Sequence, residues 1–177
     1  MAKQKSYQKK VTPAAPVRPV DELFSGYAVD NSTPANKTLQ WFFVPLFAFG
    51  FFAFVWSLPF PHIPFLGKYN GFINWASFLL AVAIYAYYKL SPVLSYFILF
   101  TLFGFSYLII QLEYMQKAGG SALWQVSLII LVVGFLGYFT ATLAESRQIG
   151  IFKKLKNLLI APLYLWHLIW RKVSVKY

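Results

Sequence analysis

Leu123-Trp-Gln-Val-Ser-Leu-Ile-Ile-Leu-Val-Val-Gly-Phe-Leu-Gly-Tyr-Phe-Thr-Ala-Thr-Leu143 is a run of 21 residues without one Asp, Glu, Lys, Arg or His. As a helix it reaches about 31 Å, the thickness of a bilayer's hydrocarbon core. Lipid offers backbone N–H and C=O groups no partner, so such a run closes its own hydrogen bonds as a helix. Three more runs share the pattern: Leu39–Leu58, Phe72–Tyr88 and Val93–Leu112, of 20, 17 and 20 residues. A barrel would need alternating strands of about ten residues, and no such dyad pattern occurs. The four runs predict an all-α fold: an integral membrane, four-helix antiparallel bundle joined by short links.

The rest of the 177 residues agrees with a membrane setting. Hydrophobic residues make up 59% and charged residues only 12%. Soluble domains carry about twice that charge, so a water-facing globular enzyme and a disordered regulator are both excluded. The net charge of +11 would suggest nucleic acid in a soluble chain. Here the basic residues flank apolar runs, so anionic phospholipids are the expected partner and nucleic acid is not. With no cysteine in the chain, disulfides, iron–sulfur clusters and thiolate chemistry are absent.

The flanks divide the chain into three parts. Residues 1–38 carry Lys3, Lys5, Lys9 and Lys10, then Pro13, Pro16 and Pro19. This composition predicts an extended basic, Pro-rich N-terminal arm, without the apolar centre of a cleaved signal. Residues 39–143 hold the bundle. Residues 144–177 are predicted to be a basic, interfacial segment with an amphipathic helix, because the apolar run Leu158–Trp170 is too short to span. With four spans, fourteen of the sixteen Lys and Arg lie on one side. Both termini are therefore expected on the cytosolic or matrix side.

The chemistry available is narrow. His62 and His167 are the only imidazoles, and the layout puts them on opposite sides of the bilayer, where they cannot share a metal. No ionisable group lies inside a span, which argues against ion or proton transport. Glu145 and Arg147 read as a solvated pair. Gly104, Gly134 and Gly137 are candidates for close helix approach. Lys153, Lys154, Lys156, Arg171 and Lys172 are the expected contacts for lipid headgroups or a partner protein.

Several short motifs occur in a familiar order. They are Asn36-Lys-Thr-Leu-Gln-Trp-Phe-Phe-Val-Pro-Leu46, Asn74-Trp75, Tyr87-Tyr-Lys-Leu-Ser-Pro92, Glu145-Ser-Arg147 and Lys156-Asn-Leu-Leu-Ile-Ala-Pro-Leu163. Together, over roughly Tyr27 to Trp170, the chain resembles the small multi-pass family typified by the 2-hydroxy fatty acid dioxygenase of the endoplasmic reticulum. That resemblance implies the fold and, in family enzymes, ferrous iron held by histidines at the membrane face. The positions that align with those ligands are Asn31, Gln40 and Ala141. Amides are weak iron ligands and a methyl group is none.

The expectation is therefore a chain with no cofactor and no catalytic residue. It is expected to act as an accessory subunit among other subunits of a membrane complex, with a mitochondrial inner-membrane respiratory assembly as the favoured setting and the endoplasmic reticulum as the alternative. Two other functions compete: an iron-dependent dioxygenase with an altered site, and a lipid-binding membrane protein.

Overall fold

The computed structural model describes residues 18–65, 67 and 73–173. Among the described residues it contains six α-helices and no strand. They are α1 (Pro19–Asp30), α2 (Pro34–Ser57), α3 (Trp75–Leu90), α4 (Pro92–Lys117), α5 (Leu123–Leu143) and α6 (Ile151–Lys172). Three of them, α2, α4 and α5, are long and apolar enough to cross a membrane. The second apolar run yields only the 16-residue α3, about 24 Å long and shorter than a typical span. Asn74 sets its start: the side chain accepts from the Ser77 N–H at 3.1 Å and closes a capping box.

The closest helix pair is α2 with α5. Gly50 lies against the backbone of Ile130 and Leu131, Gly134 against Leu46 and Phe47, and Gly137 against the Phe43 ring. As the α2 numbers rise, the α5 numbers fall, so the pair is antiparallel. Glycine lets the two backbones touch where any Cβ would hold them apart. Gly134 and Gly137 thus act as the sequence suggests. Gly104 does not, since a Cβ there would meet nothing within 4 Å. Gly50 is the contact that the sequence reading missed.

The N-terminal arm is corrected for its described part. Pro19–Asp30 is a helix, not an extended tail. Pro19 occupies the first helical turn, where a missing N–H costs nothing, and Asp21 and Glu22 complement the dipole at that end. A proline counted towards an extended arm instead starts a helix. Val20, Phe24 and Tyr27 share a face and are buried. That face meets α6: Phe24 packs edge-on to Tyr164 at 5.6 Å, and the Tyr27 and Tyr164 rings lie 4.4 Å apart. Pro34 likewise opens α2, five residues before the apolar run begins. Residues 1–17, with the first four lysines of the arm, lie outside the described residues.

The C-terminal segment is amphipathic as expected but longer, running through the lysines as well as the apolar run. Leu158, Ala161, Leu163 and Leu165 are all buried in the packed structure. Trp166 donates from Nε1 to Thr101 Oγ1 at 3.1 Å, and Trp170 packs on Phe97 at 4.4 Å. The Tyr87 hydroxyl donates to the Leu159 carbonyl at 2.6 Å, three residues before Pro162 interrupts the helix ladder. Thus α6 lies across the α2, α3 and α4 ends opposite the Trp56 end. It is a packed part of the fold.

Candidate functional site: a buried polar knot at one end of the bundle

Most helical proteins keep polar side chains at the rim. Here Asp30, Asn31, Asn36, Gln40, Glu145 and Asn157 are all at least nine-tenths buried. They meet where α1 ends, α2 begins, α5 ends and α6 begins. Three residues, Asn31, Ser32 and Thr33, turn the chain from α1 into α2. Four polar residues in a row, Asp30 to Thr33, form this corner.

Glu145 is the hub. It follows α5 by two residues and reaches the N-terminus of α2. Its Oε1 accepts from the Thr33 N–H at 2.9 Å, from Thr33 Oγ1 at 2.7 Å and from Asn36 Nδ2 at 2.8 Å. Its Oε2 accepts from Ser32 Oγ at 2.9 Å. Thr33 is the N-cap of α2, yet its side chain does not cap the helix; a carboxylate from the far end of the sequence does so instead. A negative charge at a helix N-terminus is favourable both through the dipole and through the unpaired N–H groups. The expected solvated pair with Arg147 is thereby corrected, because Glu145 is 6% exposed and its partners are Ser32, Thr33 and Asn36.

An amide chain continues from this hub. Asn36 Nδ2 also donates to Asn31 Oδ1 at 3.0 Å, and Gln40 Nε2 donates to Asn31 Oδ1 at 2.7 Å and to Asn36 Oδ1 at 2.8 Å. The Tyr27 hydroxyl donates to Gln40 Oε1 at 2.6 Å, and Asn31 Nδ2 returns to the Tyr27 carbonyl at 3.0 Å. Asn36 and Gln40 are four apart on α2, so both face the same side. Burial pushes the Tyr27 phenol well above its ordinary range, so it remains a donor.

A second carboxylate ties in α6. Asp30 Oδ1 accepts from Lys153 Nζ at 2.7 Å, and Oδ2 from Asn157 Nδ2 at 3.1 Å. Lys154 is itself buried and donates to Gln148 Oε1 at 3.2 Å. Gln148 in turn donates to the Glu145 carbonyl at 2.7 Å.

These contacts give two of the expected headgroup lysines partners within the chain. Lys153 and Lys154 are held by the chain's own polar groups, whereas Lys156, Arg171 and Lys172 are exposed. Lys153→Met is expected to cost about 1–2 kcal/mol, because it leaves Asp30 buried with one partner fewer beside a half-exposed cation. Lys156→Met is expected to change stability little. Chemical unfolding of the detergent-solubilised variants compares them; equal losses would count against the Asp30 contact.

The knot also predicts a pH dependence. Burial raises the Glu145 carboxyl, but the hydrogen bonds from the Thr33 side chain, Asn36, the Thr33 N–H and Ser32 outweigh it, leaving the group at about 2 against an ordinary 4.5. A carboxyl depressed in the folded state adds stability that is complete above its unfolded value. That stability is lost as pH falls from about 4.5 towards about 2. Glu145→Gln is expected to be less stable than the parent at neutral pH and to flatten this acid limb of the melting temperature. A parallel acid limb in both proteins would contradict the assignment.

The three positions aligned with iron ligands can now be placed. Asn31 and Gln40 are bonded to each other inside the knot. Ala141 is fully buried one turn before Glu145 and supplies no polar atom. Among the described residues no three His, Cys, Asp or Glu side chains converge. The donor set is two amides and a carboxylate already saturated by four N–H and O–H groups, which does not fit ferrous iron. His62 lies in the loop beyond α2, and the His167 ring lies 4.5 Å from Phe24, tilted against it, with burial and then Arg171 lowering its basicity.

Tyr27, Asp30, Ser32, Thr33 and Asn157 were not singled out from the sequence. The available signal was the run of four polar residues, Asp30 to Thr33, between two apolar faces. Comparison with protein-family models, with curated proteins and with solved structures finds no match for this chain.

Proposed function

We propose that this chain is a non-catalytic accessory subunit of a larger membrane complex, built on a dioxygenase-like frame. The observation that carries the proposal is the saturation of Glu145. Glu145, one turn after the aligned position Ala141, is spent on capping α2 and on holding the α1–α2 turn to the end of α5. A buried carboxylate with four donors has little capacity left for a substrate or a proton relay. Instead it holds the α1–α2 corner to the end of α5, while Asp30 and Gln148 tie in α6, which suits a rigid docking body. The basic residues on exposed positions near this end, Lys156, Arg171 and Lys172, support a cytosolic or matrix position for it under the positive-inside rule.

The test is the size of the native particle. Membranes solubilised in a mild detergent, with the chain detected by an epitope tag, are expected to show it in an assembly well above its own 20.3 kDa. Migration as a lone chain in its detergent belt would overturn the proposal.

A second reading, lipid binding, is favoured by one observation. Two neighbouring apolar cavities, of about 180 and about 140 Å³, lie between α2, α4 and α6, the second also against α3, and share Ala48, Ile98, Thr101, Phe105 and Pro162. An acyl chain fits such a lining. Neutralising Lys156, Arg171 and Lys172 together is then expected to reduce the phosphatidylglycerol that copurifies with the chain. Unchanged lipid content would remove this reading.

A further inference from the structure

The opposite end of the bundle holds a cavity of a different chemistry. It has a volume of about 280 Å³ and is lined by Trp56, Glu113, Gln116, Lys117 and Trp124, among others. Three membrane-length helices meet there: α2 at its end, α4 at its end and α5 at its start. Helix ends of this kind sit in the headgroup layer.

Three observations define what this cavity recognises. First, two indoles line one space, and indole faces attract cations more strongly than any other side-chain ring. Second, the carboxylate is held but not consumed. Trp56 Nε1 donates to Glu113 Oε1 at 3.0 Å, while Oε2 has no partner among the described residues. Third, the nearest cation does not neutralise it. Lys117 is four residues on from Glu113 along α4, yet its Nζ lies over the Tyr114 ring at 5.8 Å and makes no ion pair with Glu113. Gln116 is occupied, since its Oε1 accepts from the Leu123 N–H at 2.7 Å. The cavity therefore offers a negative, aromatic-walled floor with a positive rim. Glu113 and Lys117 are the only charged side chains among the described residues at this end.

We propose that this cavity binds a phosphocholine-type zwitterion. The quaternary ammonium would lie between Trp56 and Trp124 against the free Glu113 oxygen, and the phosphate would lie towards Lys117. A quaternary ammonium donates no hydrogen bond, so it needs an aromatic wall and a charge rather than directed acceptors. A purely anionic headgroup would meet the carboxylate, and a headgroup without a cation would leave both indoles unused. The same chemistry is carried by phosphatidylcholine and by soluble phosphocholine.

Native mass spectrometry of the full chain tests this with three probes: dihexanoyl phosphatidylcholine, dihexanoyl phosphatidylglycerol and phosphocholine. Retention of the phosphatidylcholine over the phosphatidylglycerol is expected. Glu113→Gln and Trp124→Leu are each expected to weaken that retention by about tenfold. Displacement by phosphocholine alone at similar concentration identifies the headgroup as the whole determinant, and failure to displace identifies the membrane lipid as the ligand. Equal retention of the two lipids, or unchanged retention in both variants with their helix content intact by circular dichroism, would overturn the proposal. The cavity is at the other end from the polar knot, so either assignment can fail without the other.

Discussion

Replacing Glu145 with alanine is expected to lower the unfolding free energy by about 3–5 kcal/mol. The magnitude follows from what the substitution leaves behind. The Thr33 N–H and hydroxyl, the Ser32 hydroxyl and an Asn36 N–H all lose their acceptor. Each buried donor left unpaired costs about 1–3 kcal/mol, less whatever water recovers at this rim. The helix end also loses its only described carboxylate. Glu145→Gln keeps the shape and one acceptor oxygen but brings a donor group against donors, so an intermediate loss is expected. Denaturant titration of the solubilised protein gives the ranking parent, then glutamine, then alanine. Two variants equal to the parent would mean that the knot forms without its hub.

The second large effect is expected at the α2–α5 contact. Gly134→Ala places a Cβ within 2.7 Å of the Phe47 Cα, and Gly50→Ala does the same at the Leu131 Cα. Backbone cannot rotate out of the way as a side-chain tip can, so the helices must separate. Overpacking of this kind costs about 1–3 kcal/mol per site, and these two sites oppose one another along one seam, so the upper part of that range is expected for each. Gly104→Ala is the control: its Cβ meets nothing within 4 Å, and a helical glycine replaced by alanine gains about 0.5–1 kcal/mol. Thermal melting that ranks Gly104→Ala at or above the parent and Gly134→Ala well below supports the seam. Equal melting temperatures would contradict it.

The helices were legible because their signal is one of composition and length. A charge-free run of twenty residues has few alternatives to a helix in lipid, and α2, α4 and α5 follow directly. The 17-residue run was marginal by the same rule, and the chain uses 16 residues there. Where tertiary contacts decide, sequence pattern was less informative. Pro19 reads as a helix breaker in a polar arm, but at a first turn it starts a helix whose apolar face needs α6 to cover it. That partner lies more than a hundred residues away. The knot is half legible: Asn31 and Gln40 stand out only as substituted positions, and Glu145 reads as half of a solvated pair. Asn36 and Gln40 share a face by helical spacing, but no local rule places Glu145 against Thr33 across an interval of 112 residues. The lysines of α6 show the same limit, since which of them face inward depends on Asp30 and Gln148.

The most direct measurement concerns the knot's chemistry. The purified full chain, incubated anaerobically with ferrous iron and passed through a desalting column, can be assayed for bound metal and for conversion of a 2-hydroxy fatty acid to the product one carbon shorter. If Glu145 and the amides serve to lock the helix ends, iron stays well below one per chain and no shortened product forms. One iron per chain with turnover, abolished by Glu145→Ala in a variant that still folds, would contradict the account.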